Sequence, residues 1–408
     1  MSAGGTRSPT RPVTRPLVRP PFAGVEVFED GVHYDATVRS DAGGIMSVKA
    51  PGAAARIGLM TDFFTFTGGN QSMYRGPAGL LVPSVTNAPR VEYDASGGVL
   101  GLLIEGTRTN LGLHSNDHTN AAWVKTTMTT AKTSTGPDGV VNSATRLTAT
   151  GANSLSVQTV ISASATRAYS VWIRRITGTG NIQLVVDGVT FNTKAITGSW
   201  ARYDISQAAV TNPVFGIRIV TSGDAIDVYG NQLESAAFPS SLIPTTTIAV
   251  ARTDDTAQRA AGGEISSAAG TIITELDAPV FTGFDGRMFV LDDGTGNNRF
   301  AVRASNDNWN SFTQSGGVGD GAAQIVTSIT ANVRAKGAAA FQLNDLSVSI
   351  NGSAIVQDSS LALPIAMNRF NLGFDPSGGA GVRIFGHIRR LDYWPERKPN
   401  NFLIQRTA

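Results

Sequence analysis

Cysteine is absent from the 408 residues. That excludes disulfides, thiolate metal sites, iron–sulfur clusters and a cysteine nucleophile. Such a chain needs no oxidising compartment to fold, and outside a cell its stability must come from core size or from association of copies. Charge is also sparse. Asp, Glu, Lys and Arg make up 16 % of the chain, against about 25 % in an average soluble protein. Ser, Thr, Asn and Gly must therefore cover the surface. The formal net charge is +2, too small to steer the chain onto nucleic acid or an anionic membrane. Lysine is scarce, and arginine supplies most of the 33 basic residues. No run of ~18 apolar residues occurs, so no transmembrane helix or membrane insertion is expected. Residues 1–20 lack the apolar run of a signal peptide. A product made in the cytoplasm without an export signal can still act outside the cell if it leaves inside a particle. No Gly-x-Ser-x-Gly elbow, phosphate loop or dinucleotide fingerprint is present.

What is present is enough for packed cores. Hydrophobic residues make up 41 %, and the length predicts two or three domains at ~100–200 residues each. Residues 1–21 carry proline every few positions, which fixes φ and removes donors. They read as an extended arm or as a loose tail. Arg7, Arg11, Arg15 and Arg19 stand between those prolines. An Arg/Pro arm suits docking along a neighbouring subunit or onto an acidic particle surface better than nucleic-acid binding, since no aromatic residue is interleaved.

From residue 22 the texture is that of short strands. Asp30-Gly31 between apolar runs predicts a hairpin of Val25–Phe28 with Val32–Val38. Residues 110–245 hold six β-branched or aromatic runs separated by turns, with Asp187-Gly188 as a hairpin signal between two alternating runs. Strands recurring every ~8–14 residues predict a sandwich or jelly roll. Residues 246–262 lose the alternation and gain Ala and charge, marking a linker or a strand crossing between domains. The β pattern resumes at 263, and Asn351-Gly352 predicts a type I′ hairpin. No helical period persists over three turns, and no internal repeat of 20–50 residues is evident. The expected fold is all-β: two tandem β-sandwich domains, jelly-roll and lectin-like, at 110–245 and 263–408. An extended arm (1–21) and a small β region (22–109) precede them.

Three stretches carry a resemblance. Asn87–Leu111, NAPRVEYDASGGVLGLLIEGTRTNL, combines Pro-Arg before Tyr-Asp with Gly-Leu-Leu-Ile-Glu and Arg-Thr-Asn-Leu. Ile226–Thr245, IDVYGNQLESAAFPSSLIPT, ends a strand in Gln-Leu-Glu and leaves through Phe-Pro and Ile-Pro-Thr. Arg383–Tyr393, RIFGHIRRLDY, has the form of a closing strand, followed by Pro and a short helix at Asn400–Arg406. Together they resemble structural proteins of tailed-bacteriophage virions, with a carbohydrate-binding-module-like jelly roll and a concanavalin A-like (laminin G-like) sandwich. The resemblance covers roughly residues 60–408. Gly112 departs from it, standing where the pattern continues with an apolar residue. The resemblance implies a virion protein of tail-fibre, baseplate or head-spike type, assembled in the bacterial cytoplasm. It also implies partners among other virion proteins, a homo-oligomer with trimers favoured, and a host surface glycan as ligand. A purely structural or decoration role and a polysaccharide depolymerase are the alternatives.

Sugar binding uses exposed aromatic faces with amide and carboxylate groups around them. Trp309 in SNDNWNSF, ringed by Asn306, Asp307, Asn308 and Asn310, reads as a polar-loop aromatic and is the leading candidate, with packing between copies as its other reading. Trp123 and Tyr229 are further candidates. Trp172 and Trp200 lie in alternating strands and read as core, and Trp394 reads as packed under the C-terminus. No cofactor is expected, except that Asp292, Asp293 and Asn297 have oxygen spacing that fits calcium as well as a tight turn. Asp375 has the same two readings, the turn being favoured. His114 and His118 are four apart, but the intervening residues lack the Glu of a zinc-protease motif and read as a polar loop. Hydrolysis would need two carboxylates across a cleft. Glu105, Glu234, Glu275 and Asp277 are available, and Glu105 and Glu234 read as structural partners of arginine near the sandwich ends. No catalytic residue is assigned, and the expectation is a binding protein and not an enzyme.

Overall fold

The computed structural model describes residues 29–37, 44–278, 285–305, 308–325, 329–376 and 383–408. The arm with Arg7, Arg11, Arg15 and Arg19, strand Val25–Phe28, and Asn306 and Asp307 lie outside the described residues. The described chain is nearly all β, with one α-helix, Asn400–Thr407, and none of its helices is long and apolar enough to cross a membrane.

Residues 124–234 form two five-stranded antiparallel sheets. One runs Val124–Thr126, Ser154–Thr159, Val214–Ile219, Ile182–Val185, Asn192–Lys194. The other runs Met128–Ser134, Ala144–Ala149, Ala225–Glu234, Ala165–Thr177, Ala201–Val210. Inward residues at alternate positions, among them Leu147, Tyr169, Val171, Ile173, Leu184, Phe215 and Ile217, fill the space between, as the period of two requires. Asp187-Gly188 does turn the chain between Ile182–Val185 and Asn192–Lys194. The turn is wider than two residues because the Asp187 carboxylate accepts from Val189 N, Thr190 N and Thr190 Oγ1 at 2.9, 2.7 and 2.7 Å.

The second sandwich is larger and not contiguous in sequence. Its seven-stranded sheet runs Val318–Ile325, Asn308–Ser315, Arg299–Ser305, Asp285–Asp292, Arg369–Leu372, Thr256–Ala260, Thr65–Thr67. Its ten-stranded sheet centres on Ala269–Asp277 and the closing strand Gly386–Trp394, with Ala335–Gln342 and Asp345–Ile350 on one side. Beyond Gly386–Trp394 come Gly31–Asp35, Ile45–Lys49 and Arg56–Gly58, and Val99–Ile104 also pairs with it. The stretch 22–109, expected as a region of its own, thus supplies strands to this sandwich. Val32, Tyr34 and Met46 share one core with Phe289, Phe300, Phe341 and Tyr393. Nor is 246–262 a bare linker, since Val250–Arg252 pairs with Arg108–Asn110 and Thr256–Ala260 lies between two strands of the seven-stranded sheet. The jelly roll is therefore inserted between Val99–Ile104 and Thr256–Ala260.

The Asn351-Gly352 expectation holds. Both residues have positive φ, +47° and +74°, and Ser353 N donates to Ile350 O at 2.8 Å, the geometry a type I′ turn needs. The C-terminal helix buries Leu403 against Ile273, Ala338, Ala340 and Trp394 on the outer face of the ten-stranded sheet. Trp394 does pack there, edge-on to Phe402 at 5.2 Å.

Candidate functional site

The two signatures meet at the joint between the sandwiches. Asn110, fully buried, donates to Asn231 O (3.1 Å) and Ile243 O (2.8 Å), and accepts from Gly112 N and Leu233 N (both 3.0 Å). One side chain thus ties the strand entering the jelly roll to the strand leaving it. Gly112 is required beside it, because a Cβ there would stand 2.9 Å from the Phe215 ring. Gln232 folds the exit segment back on its own strand, accepting from Ile243 N at 2.6 Å and donating to Glu234 at 2.9 Å. Glu105 accepts from Ser241 N (2.7 Å), Ser241 Oγ (2.6 Å), Arg90 (2.9 Å) and Arg252. Arg90 also pairs with Asp255. Two arginines and two acids, all buried, form a neutral network. Burial opposes the charge on Glu105, but Arg252 and Arg90 override it and hold the carboxyl well below the usual range. The expected structural role of Glu105 agrees with this geometry. Glu234 accepts from Ser240 N and Oγ at 2.9 and 2.6 Å, with Arg108 at 3.9 Å.

Over this network the two sandwiches leave a cleft of about 170 Å³. Jelly-roll residues Arg202, Phe238, Ser240 and Ser241 form one wall, and Glu92, Asp277, Asn332, Phe385 and His387 the other. Phe238 and Phe385 meet edge-on at 5.3 Å, with the Arg108 guanidinium 5.2 Å and 4.3 Å from their centroids. The register of the closing strand places His387 between Asp277 Oδ1, 2.6 Å from Nδ1, and Glu92 Oε2, 2.8 Å from Nε2. Burial disfavours the imidazolium, yet the bonds to both carboxylates push its pKa up to about 10. His387 is therefore a cation at neutral pH. Asp277 also accepts from Arg334 at 3.2 Å and is held below its ordinary value despite burial. Every carboxylate in the cleft is thus engaged by a cation. A general acid for glycoside cleavage needs a raised carboxyl pKa, and Glu105 and Asp277 are moved the other way. What the cleft offers is two phenylalanine rings and a fixed set of donors and acceptors.

The sequence-predicted sugar contacts are placed differently. Trp309 is 0 % exposed. It lies in strand Asn308–Ser315, in the core, over Gly337, where a Cβ would come within 1.9 Å of its ring. Its polar neighbours misled the loop reading. Ser311 and Thr313 share its buried face, while Asn310 is held by Arg303 on the other. Asn308 begins the same strand, opposite Ser305. Trp123, 1 % exposed, stacks on His118 at 3.8 Å. Tyr229, 2 % exposed, donates to Asp138 at 3.1 Å. None of these three rings has a face open to a sugar. His118 bonds Ser156 at 2.7 Å and does not pair with His114 around a metal. Asp292 accepts from Arg369 (2.6 and 3.0 Å), Asn371 (2.9 Å) and Gly294 N (3.0 Å). Asp293 accepts from Thr295 N and Oγ1 and from Asn298, while Asn297 N donates to Thr295 Oγ1 at 3.0 Å. These oxygens serve an arginine and a turn. Among the described residues no group of three or more His, Asp or Glu could hold a metal ion. Asp375 pairs with Arg299 at 2.6 Å and Arg287 at 3.5 Å.

No protein-family model matches the chain, and no curated protein matches it in sequence. Among solved structures, it is similar to the CBM40 of the Ruminococcus gnavus IT-sialidase bound to α2,3-sialyllactose. Identity is 16 %, over 35 % of this chain and 84 % of that one, with a TM-score of 0.31. Domain 4 of AbnA, a GH43 extracellular arabinanase from Geobacillus stearothermophilus in complex with arabinotriose, is 14 % identical over 38 % of this chain and 73 % of its own, at a TM-score of 0.31. The heptameric SAP-like pentraxin of Limulus polyphemus is 13 % identical over 34 % and 70 %, at 0.27. At these values the likeness does not bear on ligand or activity.

Proposed function

We propose that the chain is a surface protein of a tailed-phage particle, a tail-fibre, baseplate or head-spike subunit, that holds host glycan in the cleft between its two sandwiches. The observation that carries the reading is the cleft itself. Two phenylalanine rings lie beside amide, hydroxyl and charge-paired carboxylate groups, with Asn332 exposed at the rim. An apolar aromatic wall suits the C–H surface of a sugar, and fixed polar groups suit its hydroxyls. The pairing of every carboxylate favours recognition over proton transfer. The particle context is supported by the resemblance of 87–111, 226–245 and 383–393 to virion proteins, and by a cysteine-free chain with few charges. In this reading the arm bearing Arg7, Arg11, Arg15 and Arg19 docks on other virion proteins, and copies associate, as trimers, so that weak sites add through effective concentration.

The test is adsorption competition. Purified protein is added to host cells and attached virions are counted. The expected result is dose-dependent blocking that Phe238→Ala weakens at least tenfold, with an unchanged unfolding midpoint. If saturating, folded oligomer leaves attachment unaltered, the chain is a particle-building component and the adhesion reading fails.

A further inference from the structure

The outer face of the second jelly-roll sheet carries a charge arrangement that the cleft does not use. Strand register aligns Arg146, Asp227 and Arg174 side by side on three neighbouring strands. Asp227 is completely buried, whereas the side chains of Arg146 and Arg174 are 37 % and 27 % exposed. Arg146 donates through Nε (2.9 Å) and Nη2 (3.2 Å) to Asp227, and Arg174 through Nε (3.0 Å) and Nη2 (2.9 Å). Ser134 adds a donor at 2.7 Å. Two guanidinium groups therefore share one carboxylate, leaving one net positive charge. Each presents its second edge, through Nη1, to the open side, with no hydrogen bond from either Nη1 among the described residues. A guanidinium edge is the geometry that grips a carboxylate with two parallel bonds.

The surroundings fit a ring-bearing anion. The Arg174 guanidinium lies 4.9 Å from the Trp200 ring, making a flat wall. The indole N–H groups of Trp200 and of Trp172, which is 8 % exposed and two residues along from Arg174, have no acceptor. Both nitrogens are buried, and Trp172 packs with Leu81, Tyr229 and Leu242 under the Arg75 guanidinium at 4.9 Å, so the indoles serve as the apolar floor beside the two arginines. Opposite Arg146 the edge strand presents only Ala131, exposed, and Thr129 beyond it. Nothing large closes that side.

We propose that Arg146, Arg174 and Trp200 form a second saccharide subsite, selective for sugars that carry a carboxylate. This rests on the glycan-binding reading and is separable from it, because the ladder lies apart from Phe238 and Phe385. The probe is an oligogalacturonate of three residues, with its carboxyl-reduced neutral counterpart as control, titrated calorimetrically into the intact protein. The acidic form is expected to bind at least tenfold more tightly, with the preference shrinking as salt is raised. Ala131→Glu, a change at an exposed position, is expected to abolish the preference and leave the unfolding midpoint unaltered. Asp227→Asn removes the competing internal carboxylate and is expected to strengthen acidic binding severalfold. Equal affinity for the two forms overturns the proposal, as does a preference that survives Ala131→Glu. Loss of self-association in Ala131→Glu without any saccharide binding overturns it too, assigning the ladder to a protein contact. Loss of neutral-saccharide binding in Phe238→Ala with the acidic form still bound at the ladder supports the subsite and locates that failure in the cleft.

Discussion

Removing the imidazolium at 387 tests the electrostatics of the joint most directly. The folded-state pKa of His387, about 10, lies above its ordinary value of 6.5. A group whose pKa is raised by folding stabilises the fold fully below the unfolded value, and that contribution is lost as pH rises through the folded one. The interval from 6.5 to about 10 corresponds to roughly 5 kcal/mol at 1.36 kcal/mol per pH unit. The side chain is only 15 % exposed, so solvent screening removes little of it. Between pH 7 and 9 the wild type should lose roughly 2.5 kcal/mol relative to His387→Gln, because only the wild type releases this proton. Lysines and tyrosines titrate in both proteins and cancel in the difference. At pH 7 the variant should itself be less stable by about 3–5 kcal/mol, since Glu92 and Asp277 then face each other without their shared cation. Urea unfolding at pH 7, 8 and 9, following the transition of the larger sandwich, measures both effects. Parallel stability-versus-pH curves for the two proteins would refute the reasoning and mean that His387 is neutral in the fold.

Two further changes probe packing and the joint. Gly337→Ala places a Cβ against the Trp309 ring at 1.9 Å and should cost about 1–3 kcal/mol or more by overpacking. Combining it with Trp309→Phe should recover part of that loss, which a double-mutant cycle on urea midpoints would detect. Asn110→Ala strands two buried amides and two buried carbonyls and should destabilise by on the order of 4 kcal/mol, and Asn110→Asp, which keeps the acceptor but sets a buried carboxylate oxygen against the Asn231 and Ile243 carbonyls, should cost at least as much at neutral pH.

Local signals in the sequence were read well where they act locally. Asn351-Gly352 closes a tight hairpin because a positive φ at both positions suits Asn and Gly, and alternating runs such as Ala165–Thr177 became strands with one face inward. The signature residues Asn110, Glu105 and Gln232 were visible, but the task of Asn110 and Glu105 was not, since it depends on partners more than a hundred residues away, whereas Gln232 bonds within the exit segment. Trp309 failed for a related reason. Its strand carries polar residues on both faces, so period-two alternation is silent, and the room for the indole is made by Gly337 on another strand. The Arg146–Asp227–Arg174 ladder depends on the register of three strands and has no counterpart in linear spacing.

The same long-range logic accounts for the placing of the cleft. A domain inserted between two strands of another enters and leaves at one place, and there its two connections run side by side. Here Arg108–Asn110 pairs with Val250–Arg252, and directly beside them Arg90, Glu105, Arg252 and Asp255 are buried. Breaking such a network by removing one partner leaves an uncompensated buried charge, which is far more costly than the intact neutral set. The joint therefore resists hinge motion that would separate these groups, and the walls above it, Phe238 on one sandwich and Phe385 and His387 on the other, are held at a fixed spacing. A cleft whose geometry is set by a stiff joint loses little conformational freedom when it takes up a ligand. In the proposed reading a site that holds many weak contacts at once needs that property, and the three recognisable stretches supply both the joint, through Asn110, Glu105 and Gln232, and most of the cleft's lining, through Glu92, Glu105, Phe238, Ser240, Ser241, Phe385 and His387.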